Sequence, residues 1–345
     1  MARVLVTGAT GHVGAAVVRS ALRDGHEVRV LVRATSETRG LDGLPVERVE
    51  GDLLDAESLG AACDGCEVVL HVAAVHRNWA AREEDILGPA ITGTENVLRA
   101  AKAAGVRRVV ITSSNAAVGY GDDPARPLDE RSWNAEPHAV YIRAKTLAER
   151  RGLELGRELG VEVVSVLPCG VVGPYDLRRT PTTKSILAIA GGGPSVLDVA
   201  VTDVRDVADG VLLAASRGRA GERYLLSGQN CSKEELAAIV GGLTGRTVKA
   251  MLPPRFVMRA LACVGEVRAR LGGPDPDITR AEILDVCGRH LLYDSQKART
   301  ELGWSPRPAV EAVGASLRWA VDQGWLGGEV AQSVRARVPA ASTAG

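Results

Sequence analysis

Residues 3–14, RVLVTGATGHVG, place the tightest constraint on what this 345-residue chain can fold into. A β-branched run ends at Thr7, and Gly8, Gly11 and Gly14 then recur at every third position. Behind them, HVGAAVVRSALRDG (12–25) has helical spacing, with Val13, Val17 and Ala21 on one face. Glycines at a first strand–helix junction permit a tight turn, let the backbone approach a pyrophosphate, and bring helix and strand close together. The helix N-terminus then offers free N–H groups and the positive end of its dipole to phosphates. The stretch therefore predicts a dinucleotide-binding turn built from Thr7, Gly8, Thr10, Gly11, His12, Val13 and Gly14.

The same alternation continues. RVLVT (3–7), EVRVLV (27–32), VERVE (46–50), VVLHV (68–72), RVVIT (108–112) and VEVVSVL (161–167) read as strands, and helical segments such as GTENVLRAAKAAG (93–105) lie between them. Several strands are apolar almost throughout, as required when helices cover both sheet faces. The fold class predicted is α/β, a Rossmann-type doubly wound parallel sheet. Beyond residue 173 the pattern changes to a segment rich in Pro, Thr, Arg and Gly (174–196), a strand at 222–228, and helices at 233–245 and 255–272. We therefore expect a dinucleotide-binding domain over 1–173, to which the strand near 222–228 returns. A smaller mixed α/β substrate lobe follows over 174–326, and 327–345, with little apolar periodicity, reads as a flexible tail.

Charge and cysteine usage exclude other classes. Lys plus Arg and Asp plus Glu each number 42, so the basic surplus of a nucleic-acid binder is missing. No apolar run reaches the roughly 18 residues of a membrane span, and the N-terminus lacks the pattern of a signal peptide. A cytoplasmic protein with neither a membrane nor a nucleic-acid partner is expected. Cys63 and Cys66 form a CxxC, but no second CxxC or paired histidine cluster accompanies it, so no metal is predicted and the six cysteines read as free thiols.

Two further features point to chemistry. NAD sites usually carry an acidic residue about 20 residues beyond the glycines, on the ribose hydroxyl. Here Arg33 ends the second strand, and a planar, permanently charged guanidinium suits a 2′-phosphate, so NADP(H) is the preferred cofactor, with NAD(H) possible. In YIRAK (141–145), Tyr141 and Lys145 stand one helical turn apart on a common face. A nearby ammonium favours the phenolate and lowers a tyrosine from its ordinary value of about 10.

With these residues in place, the chain resembles the extended short-chain dehydrogenase/reductase family over about residues 3–325. The resemblance rests on TGATGHVG (7–14), GDLLD (51–55), HVAA (71–74), TGTENVL (92–98), TSS (112–114), YIRAK, LPCGVVGP (167–174) and LLYDSQKARTELGWSPRP (291–308). Within the family, Arg33, HVAAVHRNWA and GPYDLRRTPTT are most similar to the dihydroflavonol-reductase-like branch. The resemblance implies that Ser114, rather than its neighbour Ser113, joins Tyr141 and Lys145 as the catalytic set. It also implies that Asp52 and Leu53 frame the adenine, and that Val72, Ala73 and Ala74 wall the ribose and pyrophosphate. Thr112, Pro168, Gly170 and Val171 would lie along the nicotinamide end. His12 departs from the Phe or Tyr usual at that place. A homodimer joined through helices near 94–104 and 140–158 is implied as well.

The expected activity is NADPH-dependent reduction of a ketone or aldehyde on a small or medium-sized organic substrate, with tyrosine as proton donor. A nucleotide-sugar epimerase or dehydratase with tightly bound NAD(P) is the alternative, using Arg178 and Arg179 on the diphosphate. A non-catalytic dinucleotide sensor is the third reading; it is disfavoured because the tyrosine and lysine are both present. Candidates for substrate contact are His76, Trp79, Asn115, Tyr120, Tyr175, Arg178 and Thr182.

Overall fold

A computed structural model describes residues 2–74, 79–80, 82–276 and 278–339. Among the described residues ten strands are present: β1 (Arg3–Thr7), β2 (Glu27–Val32), β3 (Glu47–Glu50), β4 (Val68–His71), β5 (Arg108–Thr112), β6 (Glu162–Pro168), β7 (Val171–Val172), β8 (Val199–Asp203), β9 (Arg223–Leu226) and β10 (Gln229–Cys231). The helices are α1 (His12–Arg23), α2 (Ala56–Cys63), α3 (Glu84–Ala103), α4 (Val140–Leu159), α5 (Pro181–Ala190), α6 (Val204–Arg217), α7 (Lys233–Thr244), α8 (Arg255–Arg270), α9 (Arg280–Val286), α10 (Ala309–Asp322) and α11 (Gly328–Arg337).

Seven strands form one parallel sheet in the order β3-β2-β1-β4-β5-β6-β9. Alternation along each strand feeds two cores. Val4, Val6, Val28, Val30, Val110, Val164 and Val166 pack with Val17, Val207 and Val211 of α1 and α6. Leu5, Leu31, Val69, Val109, Ile111 and Val163 pack on the opposite face with Leu59, Leu98 and Leu153 of α2, α3 and α4. Each such side chain contributes about 1.5–3 kcal/mol when fully removed from water, so both faces of the sheet hold the helices that carry the site. Cys63 and Cys66 belong to the second core, and burial pushes the Cys63 thiol up to about 12.

The chain winds outward from β1 to β3, then crosses back to place β4 on the other side of β1. Such a reversal opens a crevice at the carboxyl ends of β1 and β4, where ligands of doubly wound sheets bind. Thr7 pairs in register with His71 there, so the glycine turn and the segment after β4 lie side by side.

The second lobe holds a small sheet, β10-β8-β7, under α5, α7, α10 and α11, with Val172, Val201, Leu236, Val240, Leu317 and Val334 in its core. Three features differ from the sequence expectation. Residues 328–337 form α11, with Val330, Ala331 and Val334 buried, where a flexible tail was expected; three apolar positions in one short helix are too weak a signal to read. Helix α3 begins at Glu84, ahead of Gly93, because that glycine is a packing position: a Cβ there would lie 3.2 Å from Leu53. Helix α6 lies against α1, so residues 204–226 return to the first core together with β9.

Candidate active site

The glycine turn is built at the limit of approach. Gly8 has φ +72°, and a Cβ on it would lie 2.6 Å from the backbone of Ala73; one on Gly14 would lie 2.1 Å from the Gly8 carbonyl oxygen. No side chain caps the N-terminus of α1, which leaves its first-turn N–H groups available. Thr7 is fully buried beneath the turn. Its hydroxyl shares a 2.8 Å hydrogen bond with His71 and accepts the Ala73 N–H at 3.3 Å, so Thr7 shapes the floor and offers its side chain to nothing above. Burial, with Lys145 nearby, takes His71 down to about 4 and keeps it neutral.

The imidazole of His12 is buried away from the glycines, with Nε2 3.0 Å from the Pro174 carbonyl oxygen and Nδ1 4.0 Å from the Asp176 carboxylate. Burial lowers its pKa, against the pull of Asp176. It therefore joins the phosphate turn to the start of the second lobe. Thr10 is reached from that lobe by Arg178, whose Nη2 donates to the Thr10 hydroxyl at 3.4 Å. At the far end of the crevice Asp52 uses one carboxylate oxygen on the Leu54 N–H at 2.9 Å, and Leu53 accepts from Asn96 at 2.9 Å. Arg33 is exposed, and among the described residues its guanidinium has no partner. Uncapped N–H groups, glycines at closest approach and a free guanidinium at the second strand end together fit a dinucleotide.

At the other end, Ser114 follows β5 and caps the short turn Asn115–Ala117, accepting the Ala116 N–H at 3.2 Å and donating to Asn115 Oδ1 at 3.2 Å. The Tyr141 hydroxyl is hydrogen-bonded with Ser114. Lys145, one turn further along α4, donates to the carbonyls of Thr112 at 3.2 Å and Ser113 at 3.4 Å. The sequence argument expected the ammonium to lower the phenol. Instead burial pushes Tyr141 up to about 12, with Glu282 adding and the Ser114 hydrogen bond opposing, while the Lys145 ammonium donates to the two carbonyls. Burial takes Lys145 itself down to about 8, opposed by Glu149.

Ser113 points the other way, donating to Glu149 at 2.7 Å in the core. A cavity of about 30 Å³ lies there, lined by His71, Thr94, Thr112, Lys145 and Glu149 among others, and among the described residues the Thr112 hydroxyl has no partner. Its volume and polar lining suit a single water.

The other expected residues are placed as follows. Val72, Ala73 and Ala74 follow β4 at the crevice, and Ala73 and Ala74 line the small cavity. Pro168 is buried at the end of β6, while Gly170 and Val171 beyond it are partly exposed. Gly170 has φ +48° and its Cβ would lie 1.7 Å from the Ala200 carbonyl oxygen. Tyr120 packs beside Tyr141. Asn115 is engaged, its Nδ2 donating to Tyr293 at 2.9 Å, and so positions Ser114 rather than meeting a ligand freely. Tyr175 is partly exposed at the start of the second lobe. Arg19 stacks over its ring at 4.4 Å and Trp319 meets it edge-on at 5.8 Å, so it packs α1 against α10. Trp79 and Thr182 are partly exposed, and His76 lies outside the described residues.

Three supporting residues escaped the sequence reading. Glu149, 1% exposed, accepts from Ser113, from Ser165 at 2.6 Å, and from Arg223 at 2.8 and 3.2 Å. Arg223 comes from β9 and is buried, its guanidinium 3.5 Å from the Trp133 ring centroid. Asp285 of α9 accepts the N–H groups of His138 and Ala139 and so caps the helix that carries Tyr141 from outside. Glu149 alone had a sequence signal, lying four residues beyond Lys145 on the same face.

The chain is similar to known proteins over most of its length. The model of the NAD dependent epimerase/dehydratase family matches residues 4–227. A putative dihydroflavonol 4-reductase of Synechocystis sp. is 33% identical over 329 residues, 93% of this chain and 95% of that one. Sterol demethylase protein B of Methylococcus capsulatus is 34% identical over 335 residues, 93% and 99% of the two chains. The crystal structure of gox2253 superposes with a TM-score of 0.82 at 35% identity, covering 95% of this chain and all of that one.

Proposed function

The chain belongs to the NAD-dependent epimerase/dehydratase family of extended short-chain dehydrogenases/reductases, an NAD(P)-dependent oxidoreductase of the dihydroflavonol-reductase-like branch, and from that premise we propose that it reduces a ketone or aldehyde on a small or medium-sized organic substrate with NADPH. The observation that carries this reading is the Tyr141–Ser114 hydrogen bond at the crevice, with the Lys145 ammonium one turn away. A bound nicotinamide supplies the hydride. Tyr141, holding its proton at neutral pH, delivers it to the developing alkoxide, and Ser114 orients the substrate oxygen beside it. Lys145, held by the Thr112 and Ser113 carbonyls, places a positive charge beside the alkoxide that develops. Assay of the purified protein for NADPH oxidation against a panel of aldehydes and ketones tests the reading; turnover with none of them, together with tightly held NAD(H), would overturn it in favour of the epimerase.

Two placements support the reductase over that alternative. Arg178 lies on Thr10 of the glycine turn, and Arg179 stacks 4.8 Å from the Trp325 ring centroid, so the two guanidinium groups point to different places rather than forming one diphosphate clamp. The names of the relatives, a dihydroflavonol reductase and a sterol demethylase protein, also fit a medium-sized organic substrate.

Arg33 carries the cofactor preference. Replacing it with alanine removes charge-assisted hydrogen bonds to a 2′-phosphate, so NADPH affinity should fall about 10–100-fold with NADH little changed. Equal affinities before and after the substitution would count against the role. The pH dependence follows from Lys145: with its pKa near 8, kcat/KM for reduction should decline as pH rises through about 8 and the ammonium is lost. A flat profile from pH 7 to about 9.5 would remove Lys145 from the chemistry.

A further inference from the structure

Helix α8 is turned inside out for a helix of a water-soluble lobe. Its buried positions are Ala262, Glu266 and Ala269, two small residues and a charge, with Glu266 held by Arg280 through Nε at 2.8 Å and the backbone N–H at 2.7 Å. Its large apolar residues face outward. Phe256 is 74% exposed, Leu261 63%, Val264 68% and Leu271 83%, and Val257 and Val267 are exposed between them. At the helical period these six share one face about 140° wide. The chain has a single phenylalanine, and it stands here. Met251 and Leu252, also exposed, lead into the helix.

Charge identifies what such a face meets. Residues 246–273 contain Arg246, Lys249, Arg255, Arg259, Arg268 and Arg270 against one acid, Glu266, which is buried and paired, in a chain whose total charges balance. On the helical wheel Arg259 and Arg270 border one edge of the apolar face and Arg268 lies within it toward the other, and all three are exposed. An apolar strip carrying guanidinium groups along one edge and inside the other is complementary to a surface with an apolar interior and anionic rim. A second copy of this chain docking face to face would bring two arginine-bearing faces together, with Glu266, the one acid of the segment, already paired to Arg280.

We propose that α8 is a membrane-surface helix that lies in the headgroup plane of an anionic bilayer, with Phe256, Leu261, Val264 and Leu271 in the acyl boundary and Arg259, Arg268 and Arg270 on lipid phosphates. No helix among the described residues is long and apolar enough to cross a membrane, and none is needed, since lying on a bilayer takes a face and not a span. The absence of a membrane partner expected from the sequence rested on span length alone. The proposal is independent of the reaction catalysed.

Flotation of the full-length protein with phosphatidylglycerol-containing vesicles tests it, with pure phosphatidylcholine vesicles alongside. Binding to the anionic vesicles is expected, weakened at about 0.5 M salt. Each of Arg259→Gln, Arg268→Gln and Arg270→Gln should weaken it about fivefold. Phe256→Glu with Leu261→Glu should weaken it at least about tenfold while NADPH binding and Tm stay at the wild-type level, since both side chains point to solvent. Val264→Asp provides a second probe of the same face should that pair disturb the fold. Failure of the wild-type protein to float with anionic vesicles would overturn the proposal. So would undiminished flotation of the glutamate variant, or a dimer in sedimentation that Phe256→Glu dissociates, which would make the face a subunit contact.

Discussion

Replacing Tyr141 with phenylalanine is expected to lower kcat at least ~10²-fold while NADPH affinity stays within about twofold of wild type. The substitution removes one oxygen from a buried position where its hydrogen-bond partner, Ser114, keeps Asn115 and the Ala116 N–H. Structure and cofactor crevice are therefore left intact, and the loss falls on proton delivery alone. Steady-state kinetics with separate measurement of cofactor binding by fluorescence distinguish the two. Turnover within threefold or so of wild type would mean that a water or another side chain protonates the alkoxide, and Tyr141 would lose its role.

Replacing Glu149 with alanine should destabilise the fold by about 3–5 kcal/mol, because it strands the buried Arg223 guanidinium without its counter-charge. For a chain of this size that corresponds to a Tm lower by roughly 4–7 °C. Glu149 also faces Lys145, whose pKa burial already lowers and Glu149 supports. Any folded Glu149→Ala protein should then lose activity at a lower pH than wild type, since the ammonium gives up its proton sooner. Exchanging both members for apolar residues of similar volume, Glu149→Leu with Arg223→Met, should recover most of the stability, because no uncompensated charge remains. It should leave the pH limb displaced. Scanning calorimetry and pH–rate profiles read the two effects separately, and a Tm within about 2 °C of wild type for Glu149→Ala would show that the pair contributes little.

What was legible in the sequence is what neighbouring residues encode. The strand, the glycine turn and α1 are contiguous, and their meaning survives without knowledge of the rest of the fold. Tyr141 and Lys145 sit one turn apart, so a helix brings them together wherever it lies. Glu149 and Arg223 are 74 positions apart, and no local spacing announces that β9 arrives beside β6 to join them. Asp285 caps α4 from another lobe and was invisible for the same reason. Tyr175 was assigned to a pocket because it follows a catalytic strand, and its left-handed backbone, φ +72°, belongs to a ring packed between Arg19 and Trp319. Helix α8 illustrates a different limit. Periodicity shows that an apolar stripe exists and is silent on which side of it the water lies.

The passage of residues 204–226 back into the first sheet bears on how such a chain can diversify. With α6 and β9 built into the cofactor frame, a fragment ending at 173 would bare the edge of β6 and bury Glu149 as an orphan anion. The second lobe is consequently no cassette that recombination can lift out and exchange. Sequence change is cheaper in the segments that do not make the return journey, such as the stretch from 174 to 196, than in the seam that sews the lobes together.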